Sequence, residues 1–284
     1  MLNKLIAFIG PGAMAEAMLG GLIRNAIASP NEILVSGPRL ERCDQLHALY
    51  GVQPFTDNAT AVEKAEVIVL SVKPQRLAGV MENLKGAFHK DSLVLSIIAG
   101  ATLKKLGKGL NHQNIVRSMP NTPAQIGEGI TVWTSSPSVS SEQKEITRTI
   151  LCALGQEIYV DDEHFLDMAT ALSGTGPAYV FMFMEAMIDA GVHMGFPRRI
   201  AEQLVVQTIR GSVDFYRNND LHVAALRNQV TSPGGTSAEA LYYLEKAGFR
   251  TAISRAIWAA YQRSLELGKD QPVHFPDTPA QETD

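Results

Sequence analysis

Six consecutive residues near the start of the chain, Gly10-Pro11-Gly12-Ala13-Met14-Ala15, have the types and spacing to hold a phosphate. They follow the apolar run at residues 5–9, which ends in Ile9, and they precede a helical pattern, so they read as strand, turn and helix start. Each small residue has its own task. Gly10 permits the tight turn, Gly12 lets the main chain approach a pyrophosphate, and Ala15 lets the helix pack close on the strand. The helix start then presents unpaired N–H groups and the positive end of a dipole to the anion. A purely structural turn is the rival reading, and the motif's place at the first strand of a βαβ series favours the dinucleotide.

Three further strand ends extend this site. The second strand closes in Ser36-Gly37-Pro38-Arg39, where an enzyme using NAD usually carries an acid for the ribose 2′-hydroxyl. With no acid there, Ser36 can bond a 2′-phosphate and Arg39 can pair with it or stack on adenine, which predicts a preference for NADPH with NADH also usable. Ser71-Val72-Lys73-Pro74 and Ala99-Gly100 leave the sheet at the same carboxyl edge. The nicotinamide ribose is expected between these two, the small residues at 99 and 100 leaving room for a flat ring. Lys73 reads equally well as an ordinary solvated strand end.

A second candidate site lies in Val230-Thr231-Ser232-Pro233-Gly234-Gly235-Thr236-Ser237. Pro-Gly-Gly is a turn and the hydroxyl residues open a helix. Paired glycines exceed what a cap requires, and a helix start with clustered hydroxyls suits a carboxylate. Ser173-Gly174-Thr175-Gly176-Pro177 is expected to form another wall of that pocket, and Arg117-Ser118-Met119-Pro120-Asn121-Thr122-Pro123 to face the cleft. No Ser-His-Asp set, paired acids or metal-ligand spacing occurs, and the scattered histidines read as structural.

The elements that must position these residues follow from hydrophobic pattern. Up to about residue 160, short β-branched runs at 5–9, 33–35, 67–71, 93–98, 115–119, 130–133 and 157–160 alternate with amphipathic stretches. That rhythm predicts a mostly parallel sheet covered on both faces. Beyond it the pattern is helical, and the apolar stretch 178–193 must be buried on most sides, either as a core helix or at a subunit interface. The expected division is a cofactor-binding domain over 1–161, an all-helical domain over 162–268 and a disordered Pro-rich tail over 269–284.

Composition excludes several classes. Apolar residues make up 45% and charged residues 19%, too apolar for a disordered chain. No run approaches the roughly 20 apolar residues of a membrane span, and a net charge of −4 gives no reason to expect a nucleic acid partner. No charged leader precedes the first strand, so a cytoplasmic protein is expected. Two cysteines, Cys43 and Cys152, make no disulfide framework.

Taken together, the motifs at residues 9–15, 72–74, 119–123, 173–179, 195–199 and above all 230–244 resemble the pyrroline-5-carboxylate reductase family over about residues 5–267. The resemblance implies a Rossmann-type α/β N-terminal domain followed by an all-α C-terminal dimerisation domain, assembled as a homodimer or a larger homo-oligomer of dimers. It implies cofactor contacts from Gly10, Gly12, Ala13, Met14, Ser36, Asn58, Val72, Lys73, Pro74, Ala99 and Gly100, and substrate contacts from Thr236 and Ser237, beside Gly234 and Gly235. The family commonly has Thr where this chain has Ser237, so the hydroxyl is retained. The implied reaction is reduction of 1-pyrroline-5-carboxylate to L-proline, with Ser237 positioning the substrate and able to donate a proton.

A β-hydroxyacid dehydrogenase of similar layout would need a catalytic Lys on the central helix of its second domain, and residues 178–194 contain none. A reductase of another cyclic imine and a non-catalytic NADP(H)-binding regulator remain alternatives. If Arg39 meets the 2′-phosphate, Arg39→Ala should raise the Michaelis constant for NADPH more than that for NADH; equal effects in steady-state assays would refute the assignment.

Overall fold

The structure is a computed structural model that describes residues 1–269. It divides into two compact units, one comprising Met1–Gly174 with residues 260–269, the other Thr175–Ala259. The first unit is built on an eight-stranded sheet of order β3-β2-β1-β4-β5-β6-β7-β8. Its strands are β1 (Ile6–Ile9), β2 (Ile33–Ser36), β3 (Gln53–Phe55), β4 (Val67–Leu70), β5 (Leu93–Ser96), β6 (Ile115–Met119), β7 (Gly129–Ser135) and β8 (Gly155–Tyr159). Helices α1 (Ala13–Arg24), α2 (Leu40–Tyr50), α3 (Asn58–Lys64), α4 (Leu77–Leu84), α5 (Leu103–Leu110) and α6 (Ser141–Cys152) lie between strands, and α7 (His164–Ala169) follows β8. Neighbouring strands are parallel except β6 and β7.

The continuous apolar runs explain the sheet. Successive side chains point to opposite faces, so a strand apolar at every position needs cover on both. Phe8, Val35, Val69 and Leu95 enter one core with Met18 and Leu19 of α1, Trp133 and Ile150. Ile9, Ile68, Leu70 and Val94 enter the other with Leu77 of α4 and Leu106 of α5. The sequence pattern does not reveal β3: three residues with Pro at the centre carry no alternation, and Pro is tolerated here because β3 is the edge of the sheet.

A buried ionic cluster ties β6 to the helices that follow. Arg117 on β6, 2% exposed, donates to Glu163 at 3.0 Å and Asp167 at 2.9 Å, and Asp167 also accepts from Ser264 at 2.8 Å. Ser118 is likewise buried and donates to the Ser96 carbonyl. The expectation that Arg117 and Ser118 face a cleft is therefore wrong. A guanidinium in the interior must be matched by acids, and the acids that match it lie about fifty residues away in sequence.

The second unit contains α8 (Gly176–His193), α9 (Arg198–Arg217), α10 (Val223–Gln229) and α11 (Thr236–Lys246), while α12 (Phe249–Gly268) contributes to both units. A π-helical turn, Thr170–Gly174, precedes α8. The expectation that α8 is buried on most sides is not met within one chain: only Gly191 is buried, and Phe181 and Met182 are 62% and 74% exposed. One chain lacks the surface to cover a helix that is apolar all round. Cys43 is buried in the first core and Cys152 is exposed, both unpaired. Apart from Lys269, the expected disordered tail lies outside the described residues.

Candidate functional site

Parallel register brings four strand ends to one level. Ile9 pairs with Ser36 on one side and Leu70 on the other, and Leu70 pairs with Ser96. Chain order reverses at β1, with β2 and β3 on one side and β4 and β5 on the other, so a crevice opens at the carboxyl ends between β1 and β4. The segments after these four strands are the ones the sequence singles out: residues 10–15, 37–39, 71–74 and 97–100.

The turn after β1 is held from both sides. The Gly10 N–H donates to the Ser36 carbonyl at 2.9 Å, and the Ser71 hydroxyl donates to the Ile9 and Gly10 carbonyls at 3.1 and 2.8 Å. Gly10 has φ +96°, and a Cβ there would stand 2.7 Å from the Val72 side chain, so both backbone and packing require glycine. Gly12 differs. Its φ of −83° suits any residue, and a Cβ would meet nothing closer than the Gly10 carbonyl oxygen at 4.0 Å. The protein itself does not need glycine at 12. Gly12 is exposed, serves as the N-cap of α1, and brings no side-chain cap to the helix start. The N–H groups of Ala13 and Met14 in the first turn thus have no partner within the helix.

The neighbouring residues divide into committed and uncommitted groups. Ser36 is fully buried and donates to Asn58 Oδ1 at 2.8 Å, leaving the Asn58 amide nitrogen as the donor available outward. Asp57 caps α3, accepting from the Thr60 hydroxyl and N–H, and these bonds, the hydroxyl's first, hold its carboxyl below the usual carboxylate range. The Arg39 and Lys73 side chains are exposed and make no hydrogen bond or ion pair among the described residues. At Gly100 the expected room for a ring is already filled. Its φ is +72°, and a Cβ would stand 2.8 Å from Leu267 in the last turn of α12. Arg42, which the sequence pattern does not single out, donates from Nε to the Pro11 carbonyl at 3.0 Å.

In the second unit, the turn before α11 explains its own glycines. Gly234 has φ +69°, and a Cβ on Gly235 would lie 2.8 Å from Ser232 Oγ. Gly235 is the N-cap of α11 and supplies no side-chain bond, so the N–H groups of Thr236 and Ser237 open the helix uncapped. The Thr236 and Ser237 hydroxyls make no hydrogen bond among the described residues.

A cavity of about 500 Å³ opens elsewhere in the first unit, at the starts of β4 and β5, lined by residues that include Lys4, Glu66, His89 and Asp91. It shares no residue with the candidate site, because it lies at the opposite end of the strands. Five histidines carry hydrogen bonds that fit structural roles: His47, His89 and His112 bond main-chain carbonyls, His164 bonds Tyr261, and His222 caps α10 by accepting from the Ala224 N–H. Among the described residues no group of His, Cys, Asp and Glu could hold a metal ion, and no helix is long and apolar enough to cross a membrane.

Comparison with known proteins agrees with this geometry. The family description "Pyrroline-5-carboxylate reductase dimerisation" matches residues 163–267, and "NADP oxidoreductase coenzyme F420-dependent" matches residues 5–100. A pyrroline-5-carboxylate reductase of Synechocystis is 42% identical over 264 residues, covering 93% of this chain and 98% of its own. That of Escherichia coli is 38% identical over 269 residues, covering 94% and 100%. The crystal structure of Plasmodium falciparum pyrroline carboxylate reductase with NADP bound matches with a TM-score of 0.88 at 34% identity, over 95% of this chain and 100% of that one. By sequence along nearly its whole length, and by fold, the chain belongs to the pyrroline-5-carboxylate reductase family.

Proposed function

We propose that this chain reduces 1-pyrroline-5-carboxylate to L-proline with a nicotinamide dinucleotide, NADPH in preference to NADH, as the last step of proline biosynthesis. The single observation that carries the cofactor reading is Gly12. Neither its backbone angles nor its packing calls for glycine, and the missing side chain leaves an open approach to the first N–H groups of α1. A pyrophosphate fits that cradle, accepting from Ala13 and Met14. Asn58 Nδ2, left as the donor when its oxygen takes the Ser36 bond, and the uncommitted Arg39 side chain supply donors suited to a 2′-phosphate. Ser36 then acts through Asn58, and Ser71 through the Gly10 carbonyl. Val72, Lys73, Pro74 and Ala99 line the neighbouring strand ends, with Gly100 bracing α12 behind them.

The bound dinucleotide supplies the hydride, delivered to the carbon of the C=N bond. The chain's own residues hold the substrate. The uncapped start of α11 offers main-chain donors at Thr236 and Ser237 to the carboxylate, and the Ser237 hydroxyl has a free proton to donate. An imine takes up a proton far more readily than a carbonyl, so positioning outweighs strong acid catalysis. The exposed apolar face of α8 and the dimerisation match support association of two or more chains through the second unit.

Addition of 1-pyrroline-5-carboxylate to protein and NADPH should accelerate the loss of absorbance at 340 nm, and NADPH binding without that acceleration would identify a non-catalytic binder. Because a hydrogen bond to a charged group is worth about 1.5 to 3 kcal/mol, Ser237→Ala should lower kcat/KM roughly 10- to 150-fold, and a loss under about twofold would mean that the hydroxyl is not engaged. Light scattering should give at least twice the mass of one chain; a monomer mass would contradict the interface.

A further inference from the structure

Arg42 lies on α2, outside every motif considered so far, yet its guanidinium reaches back to the turn that follows β1. Nε donates to the Pro11 carbonyl at 3.0 Å, while Nη2 bonds Glu16 on the first turn of α1. Glu16 in turn accepts from the Tyr50 hydroxyl at 3.2 Å, and its own N–H donates to the Gly12 carbonyl at 3.0 Å. Burial first, and then the Glu16 charge, push the Tyr50 hydroxyl above its ordinary pKa, so Tyr50 stays a donor. Gly20 leaves the space in which the Tyr50 ring rests on α1, a Cβ there standing 3.3 Å from the ring. On the far side, Pro11 is wedged against Gly37, where a Cβ would lie 2.5 Å from Pro11 Cδ.

We propose that Arg42, braced by Glu16 and Tyr50, is a positioning residue for dinucleotide binding, setting the plane of the Pro11–Gly12 peptide and through it the aim of the first N–H groups of α1. The proposal rests on the reading of residues 10–14 as the pyrophosphate turn. A trans peptide is planar, so fixing the Pro11 carbonyl fixes the Gly12 N–H in the opposite direction. That N–H makes a 2.8 Å bond to the Gly10 carbonyl, which closes the turn. With Pro11 locked in φ by its ring, its one remaining rotation sets the Pro11–Gly12 peptide from which Gly12 leads into Ala13 and Met14, and the guanidinium holds it.

Geometry separates Arg42 from Arg39, three residues earlier. The Arg42 side chain is about a quarter exposed and its charge is matched by Glu16, so it acts through the main chain. Arg39 is exposed and uncommitted, with its charge available to a ligand phosphate. The pyrophosphate is common to both dinucleotides and the 2′-phosphate belongs to NADPH alone. Arg42 therefore governs affinity for both alike, and Arg39 governs the choice between them.

Dissociation constants for NADPH and NADH, measured by titration calorimetry on Arg42→Met, test this. Both should weaken by the same factor, about tenfold, while kcat at saturating NADPH and the KM for 1-pyrroline-5-carboxylate stay within about twofold. Glu16→Gln keeps an acceptor but loses its charge, and should show the same pattern with a loss of about threefold; it carries the test if Arg42→Met does not fold. Unchanged affinity for both dinucleotides, or a loss confined to NADPH, would overturn the proposal while leaving the turn assignment intact. Wild-type protein that binds neither dinucleotide would overturn the turn assignment and the proposal together.

Discussion

The structure depends on how closely three strand ends converge on one peptide turn. At the end of β1, Gly10 is squeezed between the Ser36 carbonyl and Val72, and Pro11 against Gly37, so tightly that a single Cβ at 10 or 37 would overlap its neighbours. Such crowding removes alternative conformations, and the main chain at 10–12 has one path from strand to helix. Orientation entropy that would otherwise oppose binding is lost on folding, where burial in two large cores offsets it.

From this constraint follows a division of labour among polar groups. Ser36, Ser71, Arg42 and Glu16 all lie near the turn, and each has its bonding capacity engaged by another protein group. They set geometry. Arg39, Lys73 and the N–H groups at the head of α1 have no such commitments and are the surface a ligand can meet. A reaction whose hydride comes from a cofactor and whose substrate is easily protonated asks this geometry of the protein more than acid or base strength.

How much of this could be read from the sequence depended on the range of the interactions. The turn at 10–15 and the runs 67–71 and 93–98 were legible because a strand's continuous apolar run and a glycine-spaced turn are local signals. β3 was not, since three residues around Pro54 carry no periodicity and are defined by pairing with β2. Arg117 was misplaced for the same reason in reverse: a lone Arg before Pro-Asn-Thr-Pro looks like a cleft residue until Asp167 and Glu163 close on it across about fifty positions. Gly100 and Gly235 show that small residues mark close approach without saying what approaches: α12 in one case, Ser232 in the other. Arg42 had no sequence signal, since its role exists only where α2 passes beside the turn.

Gly12 is where the account is most exposed, because the folded protein does not explain why this position of the turn is glycine. Gly12→Ala should melt within about 3 °C of wild type, since the added methyl meets only the Gly10 carbonyl oxygen, at 4.0 Å, yet the methyl would crowd a bound pyrophosphate. Calorimetric titration of that variant with NADPH is the most direct measurement. Affinity about ten- to a hundredfold weaker at unchanged stability is the predicted result, and affinity equal to wild type would contradict the placement of the cofactor at this turn.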